Sequence, residues 1–205
     1  MKYIVFFTAV MLLSAPTTAI ERQEGAARVN VLVIGLEREH VSSNYYPDQL
    51  IAEKISVPVD SLADYFNRAI VSRLPAESSG PARFIRDDRI CTRALPAGTR
   101  YEGEEEGVHR DLSRVPRDSL TRLLDAFEAD FLLLVSQYYM KQETEPFPYL
   151  YHIVNYEVYD RQKTKRYEGY VCFDTPDLLP APRLDKYYKK IASRIVARVN
   201  RVVRE

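Results

Sequence analysis

The chain has 205 residues, of which 46% are hydrophobic, with 29 basic and 29 acidic side chains. This length suits one domain with a stable core, and the balanced charge gives no reason to expect a nucleic-acid partner. The apolar runs are shorter than the roughly 20 residues that a membrane-spanning helix needs.

The N-terminal segment has the pattern of a secretory signal peptide. Lys2 provides a basic start, Tyr3–Leu13 is almost wholly apolar, and Thr17-x-Ala19 matches a small-residue cleavage site. We therefore expect a signal peptide over residues 1–19, a flexible N-terminus over 20–28, and a periplasmic or secreted protein. An uncleaved anchor or a buried N-terminal strand is the alternative. No cysteine lies near the cleavage point, which argues against a lipid anchor there.

Residues 29–205 are predicted to form a single α+β domain. Its first strand, Val29–Leu36, runs through Gly35, as a dinucleotide-binding motif would, but no further glycine follows until Gly80, so we reject that motif. One or two helical turns near residues 47–54 come next. An amphipathic helix then follows, and its apolar face is Leu62, Tyr65, Phe66, Ala69, Ile70 and Leu74.

The middle of the chain has a short strand near residues 82–85 and then loses its periodicity. Residues 87–116 form the longest aperiodic stretch, and we expect a long loop there. It contains three consecutive acidic residues, Glu104–Glu106, which could ligate a hard cation. Because such charge runs are typically solvated, we predict no metal and no cofactor.

A central strand and a hairpin are predicted after a helix that starts near Pro116. Phe131–Met140 begins with a continuous apolar run, which is typical of a strand covered on both faces. The hairpin strands are Leu150–Asp160 and Arg166–Asp174. Residues of the first hairpin strand alternate between two faces. One face has Leu150, His152, Val154, Tyr156 and Val158, and the other has Tyr149, Tyr151, Ile153, Asn155, Glu157 and Tyr159.

The chain closes with an amphipathic helix whose apolar stripe runs from Leu184 to Val202, backed by lysines and arginines. Such a helix packs on a core with a solvated back, or it binds an anionic membrane through its basic face at Arg183–Arg204. Taken together, the elements predict an α+β fold. It would have a small mixed β-sheet of about four to five strands, with two or three amphipathic helices packed on one face.

The tyrosines are the best lead to a binding surface. The chain has 15 tyrosines and no tryptophan, and Tyr149, Tyr151 and Tyr159 share one strand face, with Tyr138 and Tyr139 on the neighbouring strand. Tyrosine combines contact area with a polar tip, which suits binding to an envelope protein or a glycan. The alternative is a half-buried face, covered by the 87–116 loop or with hydroxyls reaching water.

No catalytic motif is present, and we predict a protein without enzymatic activity. The three histidines lack metal-ligand spacing, and there is neither a nucleophile elbow nor a P-loop. Cys91 and Cys172 are either a disulfide, which an oxidising compartment permits, or two separate thiols. If Cys172 is free, it could pair with His152 on the same hairpin, which gives a small secreted hydrolase as the alternative function.

Several short motifs give a resemblance to known proteins. Ala129–Leu134 follows a helix, Val158-Tyr159-Asp160 precedes a turn with Thr164 and Arg166, and an amphipathic helix comes last. This order resembles small bacterial envelope proteins with the fold of the N-terminal domain of the Tol-system translocation protein. Outer-membrane activators of peptidoglycan synthases and the curli-secretion pore subunit share that architecture.

This resemblance implies a non-catalytic assembly or regulatory role in the cell envelope. The chain departs from the pattern in two respects. It has no lipid-attachment cysteine near the expected mature N-terminus, and its 87–116 insertion is long. The partner and the oligomeric state are left open by the sequence.

Overall fold

The computed structural model describes residues 28–86, 100–103 and 105–205. The predicted signal peptide and nearly all of the predicted flexible N-terminus lie outside the described residues. Cys91 does as well, so the leader and the Cys91–Cys172 disulfide stay predictions.

The described residues form an α+β domain with short 3-10 turns between its elements. The strands are β1 (Val29–Ile34), β2 (Val41–Ser43), β3 (Ala82–Arg86), β4 (Arg100–Glu102), β5 (His109–Asp111), β6 (Phe131–Glu143), β7 (Tyr149–Asp160) and β8 (Lys165–Thr175). The helices are α1 (Asp48–Ile55), α2 (Leu62–Ala69), α3 (Leu74–Glu77), α4 (Arg117–Ala126) and α5 (Ala181–Val202).

The main sheet is mixed and has six strands, five of which follow the order β3-β1-β6-β7-β8. β1 is parallel to β3 and β6, whereas β6, β7 and β8 form an antiparallel meander. The sixth strand, β2, pairs with β6 beyond the end of β1. The predicted α+β class and small mixed sheet are confirmed, with one strand more than expected. β4 and β5 form a separate two-stranded ribbon inside the stretch predicted as a loop.

A β-bulge at Ser136 divides the central strand β6 into two halves. The alternation of side chains between the two faces of the sheet is shifted by one residue from the first half to the second. The pairing of β6 with β7 shifts between Val135 and Gln137. The buried residues form two hydrophobic clusters, one on each face of the sheet. Val135 before the shift and Tyr138 after it both lie in the larger cluster, although residues three apart on a regular strand would face opposite sides. Because side chains alternate along a strand, the extra residue turns Tyr138 into the core and Gln137 away from it.

Helices cover both faces of the sheet, but unequally. The larger cluster joins α1, α2, α3 and α5 to one face, which matches the helical layer predicted from the sequence. On the opposite face a second cluster lies near β1 and the start of β6, where Leu120 and Leu124 of α4 pack with Leu112 and Val115. Among the described residues, the ribbon covers part of this second face over the meander.

Candidate functional site

An open cleft of about 510 Å³ lies on the second face of the meander, beside the ribbon. Its floor consists of side chains from β7 and β8, and we define the wall as residues 105–111. The floor residues are Tyr151, Ile153 and Asn155 from β7 and Tyr170 and Cys172 from β8. This volume is in the range of small-ligand sites.

The wall is attached to the sheet by polar residues of this second face. Gln137 Oε1 accepts hydrogen bonds from the Val108 backbone N–H at 3.1 Å and from Asn155 Nδ2 at 2.7 Å. Asn155 also donates to the Glu106 carbonyl at 2.7 Å, and the Tyr159 hydroxyl donates to the Arg110 carbonyl at 2.8 Å. These bonds close one end of the face and leave the cleft at the other.

Glu157 lies at the closed end of the cleft and has no exposed surface. Its carboxylate accepts hydrogen bonds from the Ser136 hydroxyl at 2.9 Å and the Arg110 backbone N–H at 3.3 Å. Burial raises the pKa of Glu157 to about 7, although the Ser136 bond and the nearby Arg110 charge act in the opposite direction. The Arg110 side chain is also fully buried, and its guanidinium donates to the Gly35 carbonyl at 2.8 Å.

The rim of the cleft is mainly acidic. Lys141 bridges Glu106 at 3.0 Å and Glu143 at 3.2 Å, and these carboxylates raise the pKa of Lys141. His109 lies 3.7 Å from Glu168. Glu168 also pairs with Lys165, which does not line the cleft. The described lining of the rim therefore has three exposed or half-exposed carboxylates with one lysine and one histidine, a balance that favours a ligand with a positive group.

The five tyrosines predicted to form a binding surface do not share one. Tyr149 and Tyr151 are accessible beside the cleft, and Tyr149 is 40% exposed. Tyr159 is buried beneath the ribbon because its hydroxyl bonds the wall. Tyr138 and Tyr139 are also buried, Tyr138 in the opposite core because of the bulge, so the surface as predicted is corrected.

Tyr170 is the accessible aromatic residue that the sequence interpretation missed. It is 63% exposed and lies across from Asn155 on the cleft floor. The return strand alternates as well, so Tyr170 shares a face with Cys172. In the pairing register Tyr170 lies opposite Asn155 and Tyr151 lies opposite Asp174, so the Ile153–Cys172 pair lies between the two tyrosines on the cleft floor.

His152 and Tyr138 belong to a buried hydrogen-bonded chain in the larger core. Thr175 Oγ1 donates its proton to the Asp177 carbonyl at 2.8 Å, so it must accept from His152 Nε2 at 3.1 Å. His152 Nδ1 then accepts from the Tyr138 hydroxyl at 2.7 Å. Burial lowers the pKa of His152 to about 3, and His152 is therefore neutral and structural.

The catalytic pair considered from the sequence is not assembled. His152 pairs with Phe173 in the β7–β8 register and lies in the larger core, whereas Cys172 pairs with Ile153 and lines the cleft. Adjacent residues of a strand point to opposite faces, so His152 and Cys172 are separated by the sheet. The interpretation of this pair as nucleophile and base is wrong for that reason.

Two further features bear on ligands and membranes. Glu37, Glu39 and His40 each offer a ligand atom, and these atoms lie within 4.8 Å of one another. Acidic groups at a surface commonly gather without an ion, and we assign no metal to this group. Among the described residues, no helix has the combination of length and apolar content that crossing a bilayer requires.

Comparison with known proteins shows a shared fold. No family model matches the chain, and no curated protein matches it. The chain is similar to the solved hypothetical protein CT253 from Chlamydia trachomatis, with a TM-score of 0.52 and 17% identity over 85% of this chain and 96% of the other. At this identity the likeness concerns the fold and assigns no activity.

Two more distant structures come from other bacteria. Protein XCC0632 from Xanthomonas campestris, of family DUF330, aligns with a TM-score of 0.40 and 8% identity, over 85% of this chain and 82% of the other. Lipoprotein GNA1162 from Neisseria meningitidis aligns with a TM-score of 0.34 and 11% identity, over 86% of this chain and 99% of the other. The Tol-type resemblance remains an interpretation of the sequence motifs.

Proposed function

We propose that the protein is a non-catalytic binding protein of the cell envelope that holds part of another envelope component in the cleft. The observation that supports this most directly is the half-covered meander. The wall covers one end of a sheet face, Tyr149 and Tyr151 remain accessible at the other, and Tyr170 is accessible on the edge strand opposite Asn155. Accessible tyrosines beside a cleft are typical of recognition surfaces.

The chemistry of the cleft favours a ligand with an apolar or aromatic body and a positive group. Ile153 and the tyrosines offer contact area, and Glu106, Glu143 and Glu168 offer negative charge at the rim. A segment of an envelope protein with a lysine or arginine side chain fits this description best. A glycan with an amino group is the second ligand class to test.

Export is proposed from the sequence of the leader. Lys2, the apolar run Tyr3–Leu13 and Thr17-x-Ala19 have the order that a secretory signal peptide requires. A periplasmic or secreted location follows from this leader if it is cleaved. The alternative functions are a small hydrolase, which would need a base other than His152, and a peripheral membrane protein that uses the basic back of α5.

Site-specific photo-crosslinking in the native host tests the cleft. A photo-reactive residue at Tyr170 should give a defined crosslinked product, whereas one at Tyr45, which is 66% exposed but does not line the cleft, should not. The additional substitution Tyr151→Ala should abolish the product formed from position 170. Equal products from both positions, or a product that is insensitive to Tyr151→Ala, would contradict the proposal.

A further inference from the structure

A second groove, of about 280 Å³, lies between the edge strand β8 and the C-terminal half of α5. We call it the arginine groove. Its polar lining consists of Tyr156, Tyr167, Tyr170, Arg194, Arg198 and Arg201. The cleft lies on the other face of the sheet, and the two sites share only Tyr170.

The arginines of the groove form one row with excess positive charge. Arg194, Arg198 and Arg201 are four and three residues apart, a spacing that aligns them along one side of a helix. Within the part of the chain that the structure describes, none of the three forms an ion pair with a carboxylate. Arg194 donates to the Cys172 carbonyl at 2.9 Å, which fixes it beside the strand edge.

The tyrosines orient the second arginine of the row. The Arg198 guanidinium lies 5.1 Å from the centre of the Tyr167 ring, as in a cation–π contact. A guanidinium in such a contact still has N–H groups with which to bind a planar or tetrahedral anion. Tyr167 is itself packed against Tyr156, with 5.4 Å between ring centres.

Tyr156 supports this arrangement from the core. It has almost no exposed surface, and its hydroxyl is hydrogen-bonded with the Tyr167 phenol, which helps to hold the ring that Arg198 contacts. Neighbouring guanidinium groups form the donor set that phosphate oxygens require, because phosphate accepts several charge-assisted hydrogen bonds at once.

We propose that the arginine groove binds the phosphate group of an ester, with Arg198 and Arg201 as the principal contacts and Arg194 at the strand end. The phosphate belongs either to an anionic lipid headgroup or to a soluble phosphate ester. The proposal does not depend on the proposed partner cleft, because the groove is basic and the cleft has an acidic rim, although Tyr170 lines both.

The test measures binding of glycerol phosphate in solution and of vesicles containing phosphatidylglycerol, each at low salt. The variant is Arg198→Gln with Arg201→Gln, and the control is Lys186→Gln with Lys189→Gln. The control removes the same charge from exposed residues of α5 that do not line the groove. Circular dichroism verifies that each variant folds. Arg201→Gln alone serves as a second variant, because none of the described side-chain contacts that hold the fold involves Arg201.

We expect the arginine variant to lose affinity by about tenfold or more, and the lysine control to lose much less. Loss for glycerol phosphate supports a soluble ligand, and loss for vesicles alone supports a headgroup. Equal losses of affinity in the two double variants would overturn the proposal, because they would show that binding depends on the total positive charge of α5 and not on the groove. An absence of binding to both probes by the unmodified protein would overturn it as well.

Discussion

The backbone N–H of Arg110 donates to the carboxylate of Glu157 at 3.3 Å, and neither residue has any exposed surface. The wall of the cleft is thus attached to the sheet through a buried carboxyl group. Burial of that group raises its pKa to about 7. The attachment therefore links the stability of the domain to pH.

The unmodified protein should lose stability as pH rises, and the substitution Glu157→Gln should weaken this pH dependence. Below about pH 4.5 the carboxyl is protonated in both states, and above it the unfolded state ionises first. The contribution of Glu157 to the free energy of unfolding therefore falls as pH rises from about 4.5 to about 7, by up to about 3 kcal/mol, and is constant above that range. Urea unfolding across this range should show a flatter curve for Glu157→Gln.

The control for this measurement is Glu168→Gln, which removes a charge from an exposed residue of the neighbouring strand. It shows how far the loss of one surface carboxylate by itself alters the curve. If Glu157→Gln and the unmodified protein had parallel curves, the raised pKa of Glu157 would be refuted.

Tyr138→Phe should destabilise the domain by about 1–3 kcal/mol. The substitution removes the hydroxyl that donates to His152 Nδ1 at 2.7 Å and leaves this buried acceptor without its partner. Tyr149→Phe is the matched control, since Tyr149 is 40% exposed and water can replace its contacts. Chemical unfolding compares the two, and an equal effect would show that the buried chain contributes little.

His152 should remain neutral and keep its proton on Nε2 throughout the range in which the domain is folded. The pKa of about 3 lies far below the ordinary 6.5, so the stability that His152 contributes is lost as pH falls from about 6.5 towards 3. Nitrogen-15 NMR of the imidazole reports both the tautomer and the charge. A titration of His152 near pH 6.5 would contradict the burial argument.

Gly35→Ala should destabilise the domain by about 1–3 kcal/mol through overpacking. A Cβ at this position would overlap Asn67 Oδ1, which accepts the Leu36 N–H at 2.8 Å. Gly107→Ala is the control, because a Cβ there meets no atom within 4 Å. The midpoint of thermal unfolding should fall for the first variant alone, and a similar fall in both would argue for a backbone effect instead.

Protein exported by its native host should have lost residues 1–19. Intact mass spectrometry gives the cleavage site, and alkylation with and without a reductant gives the number of free thiols. No free thiol would support the Cys91–Cys172 bridge over the alternative of two separate thiols, and two free thiols would leave Cys172 available on the cleft floor. A retained N-terminus would contradict the proposed export.

Much of the architecture follows from local patterns. The alternation of β7 predicted that Leu150 and Val154 face the core, and both are buried there. The apolar run at the start of β6 predicted a strand covered on both faces, which the two hydrophobic clusters confirm. Periodicity works in these cases because each element buries the side chains that its own geometry places on one side.

The candidate site is much harder to predict, because it depends on which half of a sheet face is covered. Alternation placed Tyr151, Glu157 and Tyr159 on one face, and the structure agrees. It could not indicate that the wall would bury Glu157 and Tyr159 and leave Tyr151 at the cleft. The wall lies about 40 to 50 residues from its contacts on β7, as the bond between Arg110 and Tyr159 illustrates.

The sequence alone determined the α+β class, the faces of the hairpin and the core stripe of α5, since period and composition act within one element. Only the tertiary structure decided that Tyr138 turns inward, that His152 is separated from Cys172, and that Arg198 meets Tyr167 beside a groove. A single extra residue in a ladder reverses the side-chain faces, and packing between distant elements selects which polar groups are buried. Neither effect has a local signature in the chain.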